Sequence, residues 1–410
     1  MDNSWTRTSL GDICRFRAGT AFPKQFQGED TGEIPFIKVS DLKHSANSLY
    51  IRHSANWVDM STVEHLKASL LHPGAIVFAK IGEGLKAERF RLVARATCID
   101  NNLMGAIPQG VNAHFLYYFM IHTGVAHLVE GSALPYLRQS DLERIPVCVP
   151  PNDEQQRIAG VLGALDDKIE SNRQICSLIN LLSEELFCSR FRLRKDCTTK
   201  GILTIGDLGE IVGGGTPSKK VEEYYVDSGI AWLTPKDLAR DSSTFRHHGA
   251  IDISELGLRK SSARLLPRGT VLFTSRAPIG YIAIASGETS TNQGFKSIVP
   301  HPEFGTAFTF YLLKQLTPEI VSSANGSTFK EISKGGLASI SFDAPDRASV
   351  REFNSLVQPL LDLQEAKESE TCRLSKLRDA LLPELMSGRM RVDEAGCLVS
   401  EALDEEVRSV

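Results

Sequence analysis

The sequence predicts an α+β protein, with two pseudo-two-fold-related, mixed α/β globular halves separated by two long antiparallel coiled-coil helices. Three observations predict it. A stretch of helical periodicity in the middle of the chain is too long for one small domain to bury. A second such stretch lies near the C-terminus. Short matches recur in one order about 195 residues apart, the signature of an internal duplication.

The first globular half takes residues 1–151. It opens Thr8-Ser-Leu-Gly-Asp-Ile13, continues through β-rich runs such as Ala75-Ile-Val-Phe78 after Gly turns, and ends with a helical run at 113–129. The second half, 196–345, repeats it. Leu203-Thr-Ile-Gly-Asp-Leu208 stands 195 positions after Thr8–Ile13, and Ile230–Leu238 stands 196 after Ile34–Leu42. Leu265–Phe273 follows Leu70–Phe78 by 195, and Phe308–Tyr311 follows Phe115–Tyr118 by 193. Gly326-Ser327 and Ile340–Phe342 follow Gly131-Ser132 and Ile145–Val147 by 195. No single match is strong, but together they indicate a duplicated unit of globular half plus helix.

Residues 152–195 read as the central spacer helix. Asn152 or Asp153 can cap its start, and Asp153 and Glu154 suit the positive end of the helix dipole. Ile158, Leu162, Leu165, Ile169, Cys176, Ile179 and Leu186 recur at alternating steps of four and three, with Asn172 and Ser183 in the gaps. That 3.5-residue period is a coiled-coil seam. A basic stretch with Arg190, Arg192, Arg194 and Lys195 marks the junction to the second half. Residues 346–390 supply the second spacer helix, with Phe353, Val357, Leu360, Leu374, Leu381 and Leu385 in the seam and Gln364, Lys367 and Thr371 as a polar middle. Pro383 is expected to kink or stop it. Residues 391–410 carry Asp393, Glu394, Glu401, Asp404, Glu405 and Glu406 against Arg408 and read as a flexible acidic tail.

Composition narrows the function classes. With 42% hydrophobic and 23% charged residues the chain is that of a soluble globular protein. No apolar run reaches membrane-spanning length, and Met-Asp-Asn-Ser-Trp5 is no signal peptide. The eight cysteines form no Cys-x-x-Cys pair, which points to reduced thiols in the cytoplasm and away from a structural zinc. The net charge of −4 does not exclude a nucleic-acid partner, because acidic helices and tail can mask a basic face elsewhere.

Enzyme signatures are absent. Gly213–Lys220 fails the Gly-x-x-x-x-Gly-Lys-[Ser/Thr] pattern and reads as a Gly-rich turn. There is no His-Glu-x-x-His, no Gly-x-Ser-x-Gly, no Asn/Asp-Pro-Pro-aromatic and no Gly-x-Gly-x-x-Gly. His247-His248 lacks the Cys or carboxylate company of a metal site. A recognition or scaffolding protein fits better.

Several loops set cations and amides beside small residues, at corresponding places in both halves. The first half offers Lys80, Lys86, Arg89 and Arg91 in one loop, and Tyr136 and Arg138 in another. The second half offers Lys219 and Lys220 after the glycines, and Arg276 in Thr274–Tyr281. Asn292, Gln293 and Lys296 follow in the next loop, then Lys330 and Lys334. Lys and Arg on flexible backbone suit phosphates, and Arg, Asn and Gln can pair with guanine or adenine edges.

The sequence resembles the specificity (S) subunit of type I restriction–modification systems. The resemblance rests on Pro151-Asn-Asp-Glu-Gln-Gln-Arg-Ile158, on Leu165-Asp-Asp-Lys-Ile-Glu-Ser-Asn172, and on Leu377-Arg-Asp-Ala-Leu-Leu-Pro-Glu-Leu-Met-Ser-Gly388. Trp5–Ile13, Gly213–Ser218 and the duplication fit as well. The second helix departs from the pattern, opening Pro345-Asp-Arg-Ala-Ser-Val-Arg-Glu-Phe353. The resemblance implies that each half is a target-recognition domain reading one half of a split, double-stranded DNA site. The helices would fix the gap and dock two methyltransferase (M) subunits, with Ile158, Leu162, Leu165, Ile169, Phe353, Val357, Leu360, Leu374 and Leu381 serving coiled coil and docking. Restriction (R) subunits can join. S-adenosylmethionine, ATP and Mg would be bound by those partners, with no cofactor, metal or catalysis in this chain. The residues also leave open a free-standing two-domain DNA-binding regulator, or an enzyme with an unrecognised site.

Overall fold

A computed structural model describes residues 5–44, 46–129, 135–191, 201–241, 243–276, 278–324 and 330–404. Contacts divide the chain into two units: residues 1–171 with 371–410, and residues 172–370. The division cuts both long helices, Asn152–Arg190 and Arg347–Met386, so each unit owns one part of each.

In unit 1 the strand Thr6–Ser9 pairs antiparallel with Pro146–Val149 and closes the domain. A five-stranded sheet runs Cys14–Ala18, Leu103–Pro108, Ile76–Ala79, Arg91–Val93, Tyr50–Ile51. Its last pair is parallel. A second sheet pairs Ile34–Ile37 in parallel with Thr97–Ile99.

Unit 2 repeats this plan. Ile202–Thr204 pairs with Ser341–Asp343. The five-stranded sheet runs Gly209–Gly213, Lys296–Pro300, Val271–Phe273, Ile282–Ala285, Phe245–Arg246, again with a parallel last pair. Ala231–Leu233 runs parallel to Thr289–Thr291. The duplication reaches single hydrogen bonds. Ser9 N donates to Asp12 Oδ2 at 3.0 Å, and Thr204 N donates to Asp207 Oδ2 at 2.7 Å. These capping bonds hold both carboxyls below their usual pKa, the Ser9 hydroxyl being the largest influence on Asp12 and the Thr204 amide on Asp207.

In each unit the helix parts run antiparallel and bury one face against their own domain. Ile158, Leu162, Leu165 and Ile169 share a core with Leu374, Leu381, Leu385, Phe78, Phe115 and Tyr118 in unit 1. Unit 2 gathers Phe187, Phe191, Phe308, Tyr311, Phe353, Val357 and Leu361. These seam residues are therefore interior, and the expectation that they also dock a partner is corrected. The strict heptad also slips. Leu361 is fully buried while Leu360 is half-exposed, and Phe187 takes the buried place expected of Leu186. A straight helix drifts about 20° per heptad from a 3.5 repeat, and helices lying on a domain follow their own 3.6 period.

Buried polar contacts set the pairing. In unit 1 the Tyr118 hydroxyl donates to Asp166 Oδ2 and Arg378 Nη1 to Asp166 Oδ1, both at 2.7 Å. Burial and the adjacent carboxylate push the Tyr118 phenol far above its usual pKa. In unit 2 Asn172 Nδ2 donates to Glu370 Oε2 at 2.9 Å, and Gln364 Nε2 to Thr244 Oγ1 at 2.7 Å. Glu368 receives the backbone amides of Thr244 at 2.9 Å and Phe245 at 2.8 Å.

The C-terminal segment differs from expectation twice. The second helix passes through Pro383 and ends at Met386, where Gly388 at φ +67° reverses the chain. The predicted flexible tail is a helix over Val392–Asp404, with Val392, Ala395 and Val399 buried in the unit 1 core. Arg157 pairs with Asp393 at 3.4 Å, and Arg373 Nη2 donates to the Ala402 carbonyl at 3.3 Å. Residues 405–410 lie outside the described residues, as do Arg192, Arg194 and Lys195 of the junction.

Arg378→Met leaves Asp166 without its cation and lowers stability by roughly 3 kcal/mol in chemical denaturation, while adding Asp166→Asn restores part of it. An unmoved midpoint for Arg378→Met contradicts the assigned pairing. Ending the chain after Arg391 costs about 3 kcal/mol through the lost valine burial; a truncation that melts like the full chain restores the flexible-tail reading.

Candidate nucleic-acid interface

In unit 2 the strand Val271–Phe273 runs out into Thr274, Ser275 and Arg276. Ser275 ties three loops together. Its amide donates to the Gly294 carbonyl at 2.7 Å, and its carbonyl accepts from the Ile332 amide at 2.9 Å. The Gly-rich loop joins the same junction, with the Gly215 amide on the Thr291 carbonyl at 2.8 Å and Trp232 Nε1 on the Gly215 carbonyl at 3.0 Å. A Cβ on Gly214 would lie 2.1 Å from the Asn292 carbonyl oxygen, so this close approach requires glycine. Asn292 Oδ1 accepts from the Gly294 amide at 2.9 Å and fixes the turn. Thr216 Oγ1 bonds to Gln293 Oε1 across the two loops.

Those bonds bring most of the second-half candidates to one end of the sheet. Gln293 and Lys330 are exposed there, and Lys334 opens the short helix Lys334–Ala338. Lys219 and Lys220 follow the Gly-rich loop on exposed positions. Arg276 Nε lies 3.0 Å from Glu331 Oε2, and Lys296 Nζ lies 3.9 Å from Glu331 Oε1. Burial pulls the Lys296 ammonium below its usual pKa, opposed by Glu331 and assisted by Arg276.

Unit 1 builds the same junction with other side chains. Lys80 takes the place of Ser275: its amide donates to the Asn102 carbonyl and its carbonyl accepts from the Leu137 amide, both at 2.9 Å. The Lys80 ammonium lies 5.7 Å from the centre of the Tyr136 ring, which is half-exposed. Arg138 is exposed beside it. Lys86 pairs with Glu83 at 2.7 Å on the exposed helix Gly82–Lys86, and Arg89 is half-buried. Arg91 is placed differently from the expectation. Its guanidinium donates to the carbonyls of Leu42 at 3.1 Å, Phe90 at 2.7 Å, and Asn47, which makes it a tie between sheet and loop.

The sequence reading missed three positions, of which the repeat offset of 195 could have found Lys24. Asp100 and Asn102 form the counterpart of the Asn292–Gly294 turn, with the Asn102 amide on Asp100 Oδ1 at 2.9 Å. Lys24, exposed, stands 195 residues before Lys219. The Gly131-Ser132 and Gly326-Ser327 matches lie outside the described residues. His247 and His248 are both exposed, and His248 Nδ1 bonds Asp252 Oδ2 at 2.8 Å. No helix among the described residues is long and apolar enough to cross a membrane.

Comparisons with known proteins bear on this arrangement. The family model described as the type I restriction modification DNA specificity domain matches residues 3–181 and 199–350. The MjaIX specificity subunit of Methanocaldococcus jannaschii is 37% identical over 175 residues, 42% of this chain and 40% of that subunit. That match spans less than half the relative's length. The HindI specificity subunit of Haemophilus influenzae is 20% identical over 479 residues, covering 95% of this chain and 100% of its own. The crystal structure of the S subunit of a type I restriction–modification system from M. genitalium aligns with a TM-score of 0.60 at 16% identity, over 94% of this chain and 97% of that one, which shows a common fold. With the specificity domain matched in both copies of a repeated scaffold, the chain belongs to the type I restriction–modification DNA specificity family.

Proposed function

We propose that this chain is the sequence-specific DNA-binding subunit of a type I restriction–modification complex, and that its two domains each read one half of a bipartite target. The observation that supports it is the repeated loop junction, one backbone framework presenting different side chains in each unit. Lys219, Lys220, Lys330 and Lys334 in unit 2, and Lys24, Lys86 and Arg138 in unit 1, are exposed and suit phosphate contacts. The amides of Asn102, Asn292 and Gln293 suit base edges.

The helices would dock methyltransferase subunits through their exposed leucines, since the seam residues are interior. In unit 2, Leu178, Leu181, Leu182, Leu356 and Leu363 are 65%, 64%, 51%, 46% and 44% exposed on the two helices. Two such subunits, and restriction subunits with them, would carry S-adenosylmethionine, ATP and Mg. This chain would bind no cofactor, catalyse nothing, and work in the cytoplasm.

Lys330→Ala in the purified complex should weaken binding to every duplex alike and reduce the salt dependence of affinity by about one counterion. An unchanged affinity and salt slope removes that loop from the interface. Leu181→Asp with Leu182→Asp should abolish co-purification with the methyltransferase while the chain keeps its melting profile. A complex that survives both substitutions contradicts docking on this face. Tight, site-specific binding by the chain alone would favour a free-standing regulator.

A further inference from the structure

The two units carry different chemistry at one backbone position. The antiparallel bridge that closes the loop junction pairs Ile81 with Tyr136 in unit 1 and Arg276 with Glu331 in unit 2. Each residue of the second pair stands 195 positions after its counterpart in the first. The surroundings diverge too. Buried Met104 follows the Asp100–Asn102 turn at the point where Lys296 follows Asn292–Gly294. The bonds that hold the bridge come from the main chain, through Lys80 in one unit and Ser275 in the other. The bridge side chains can therefore change without altering the scaffold, as a reading position requires.

In unit 2 those side chains form an oriented fork. Arg276 is 49% exposed on its side chain, and its Nε lies 3.0 Å from Glu331 Oε2 in an ion pair. Glu331 is itself flanked by Lys296 at 3.9 Å, whose side chain is only 16% exposed. The carboxylate thus sits between two cations that fix it. Among the described residues neither terminal guanidinium nitrogen of Arg276 has a hydrogen-bond partner. A planar pair of donors, held from its Nε edge and open at its tip, matches the O6 and N7 acceptors of guanine. Tyr136 and Ile81 offer no such fork.

We infer that Arg276 is the guanine-reading residue of the unit 2 domain and that Glu331 is the residue that positions it, an inference that rests on the DNA-reading function proposed above. Lys296 supports Glu331 from behind, its ammonium 3.9 Å from Oε1.

The test is a genome-wide adenine methylation map from cells expressing the whole chain with its methyltransferase partner. The unsubstituted chain is compared with Arg276→Lys, Arg276→Gln and Glu331→Gln, and complex formation is checked by co-purification. Arg276→Lys keeps the charge, and hence any phosphate contact, but loses the fork. Both Arg276 variants should make one guanine position in one half-site degenerate, with preference for guanine falling about tenfold or more. Glu331→Gln should relax the same position less, and the other half-site should not change. A motif unaltered in both Arg276 variants, while the unsubstituted chain still gives a split motif, overturns the inference and leaves the DNA-reading function standing. Relaxation in both half-sites, or loss of the complex, overturns it by showing a structural role. No new methylated motif with the unsubstituted chain removes the DNA-reading function and the inference with it.

Discussion

Burial of one face of each long helix against the domain beside it is the constraint on which the rest of the structure depends. The helices run to 39 and 40 residues, and most helical stability in proteins comes from tertiary contact of an apolar face. Each unit supplies that contact with its own aromatic and aliphatic core. Leu162, Leu165 and Ile169 on one side, and Phe353, Val357 and Leu361 on the other, are consequently core residues of a domain as much as members of a helix pair.

The polar contacts inside these interfaces act differently from the apolar ones. Apolar faces tolerate sliding by a turn, because any leucine fills a leucine's place. Asp166 does not: it needs the Tyr118 hydroxyl and the Arg378 guanidinium together. Gln364 likewise needs the Thr244 hydroxyl, and Glu368 needs two backbone amides of the same strand region. Displacement would leave these buried groups unpaired, at a cost of 1–3 kcal/mol for each neutral one as a rough scale. They fix which residues of the two helices face each other within each unit.

Much of this was legible in the sequence, because duplication and helical period are local and additive signals. The repeat foretold that the strands would recur, and strand order and parallel pairs recur in both sheets. What escaped depended on distant partners. Arg91 looked like any loop cation until Leu42 and Asn47 were brought beside it. The terminal helix was hidden by its acidic count, although Val392, Ala395 and Val399 sit at steps of three and four. The slip from Leu360 to Leu361 reflects a heptad rule applied to helices that lie on domains. Asp100 and Asn102 were missed because Asn292–Gly294 was read for its side chains and its partner turn, at a shifted offset, was not sought.

The same framework with different side chains at its tip is what a pair of independent readers needs, since specificity can change without refolding. The most direct measurement is therefore an exchange of residues 1–151 for those of another family member. Its adenine methylation map is compared with that of the unexchanged chain, each expressed with the methyltransferase partner. The account predicts a split motif in both cases, with one half-site replaced and the other half-site and the gap unchanged. A motif that changes in both half-sites, or a single unsplit site, would contradict it.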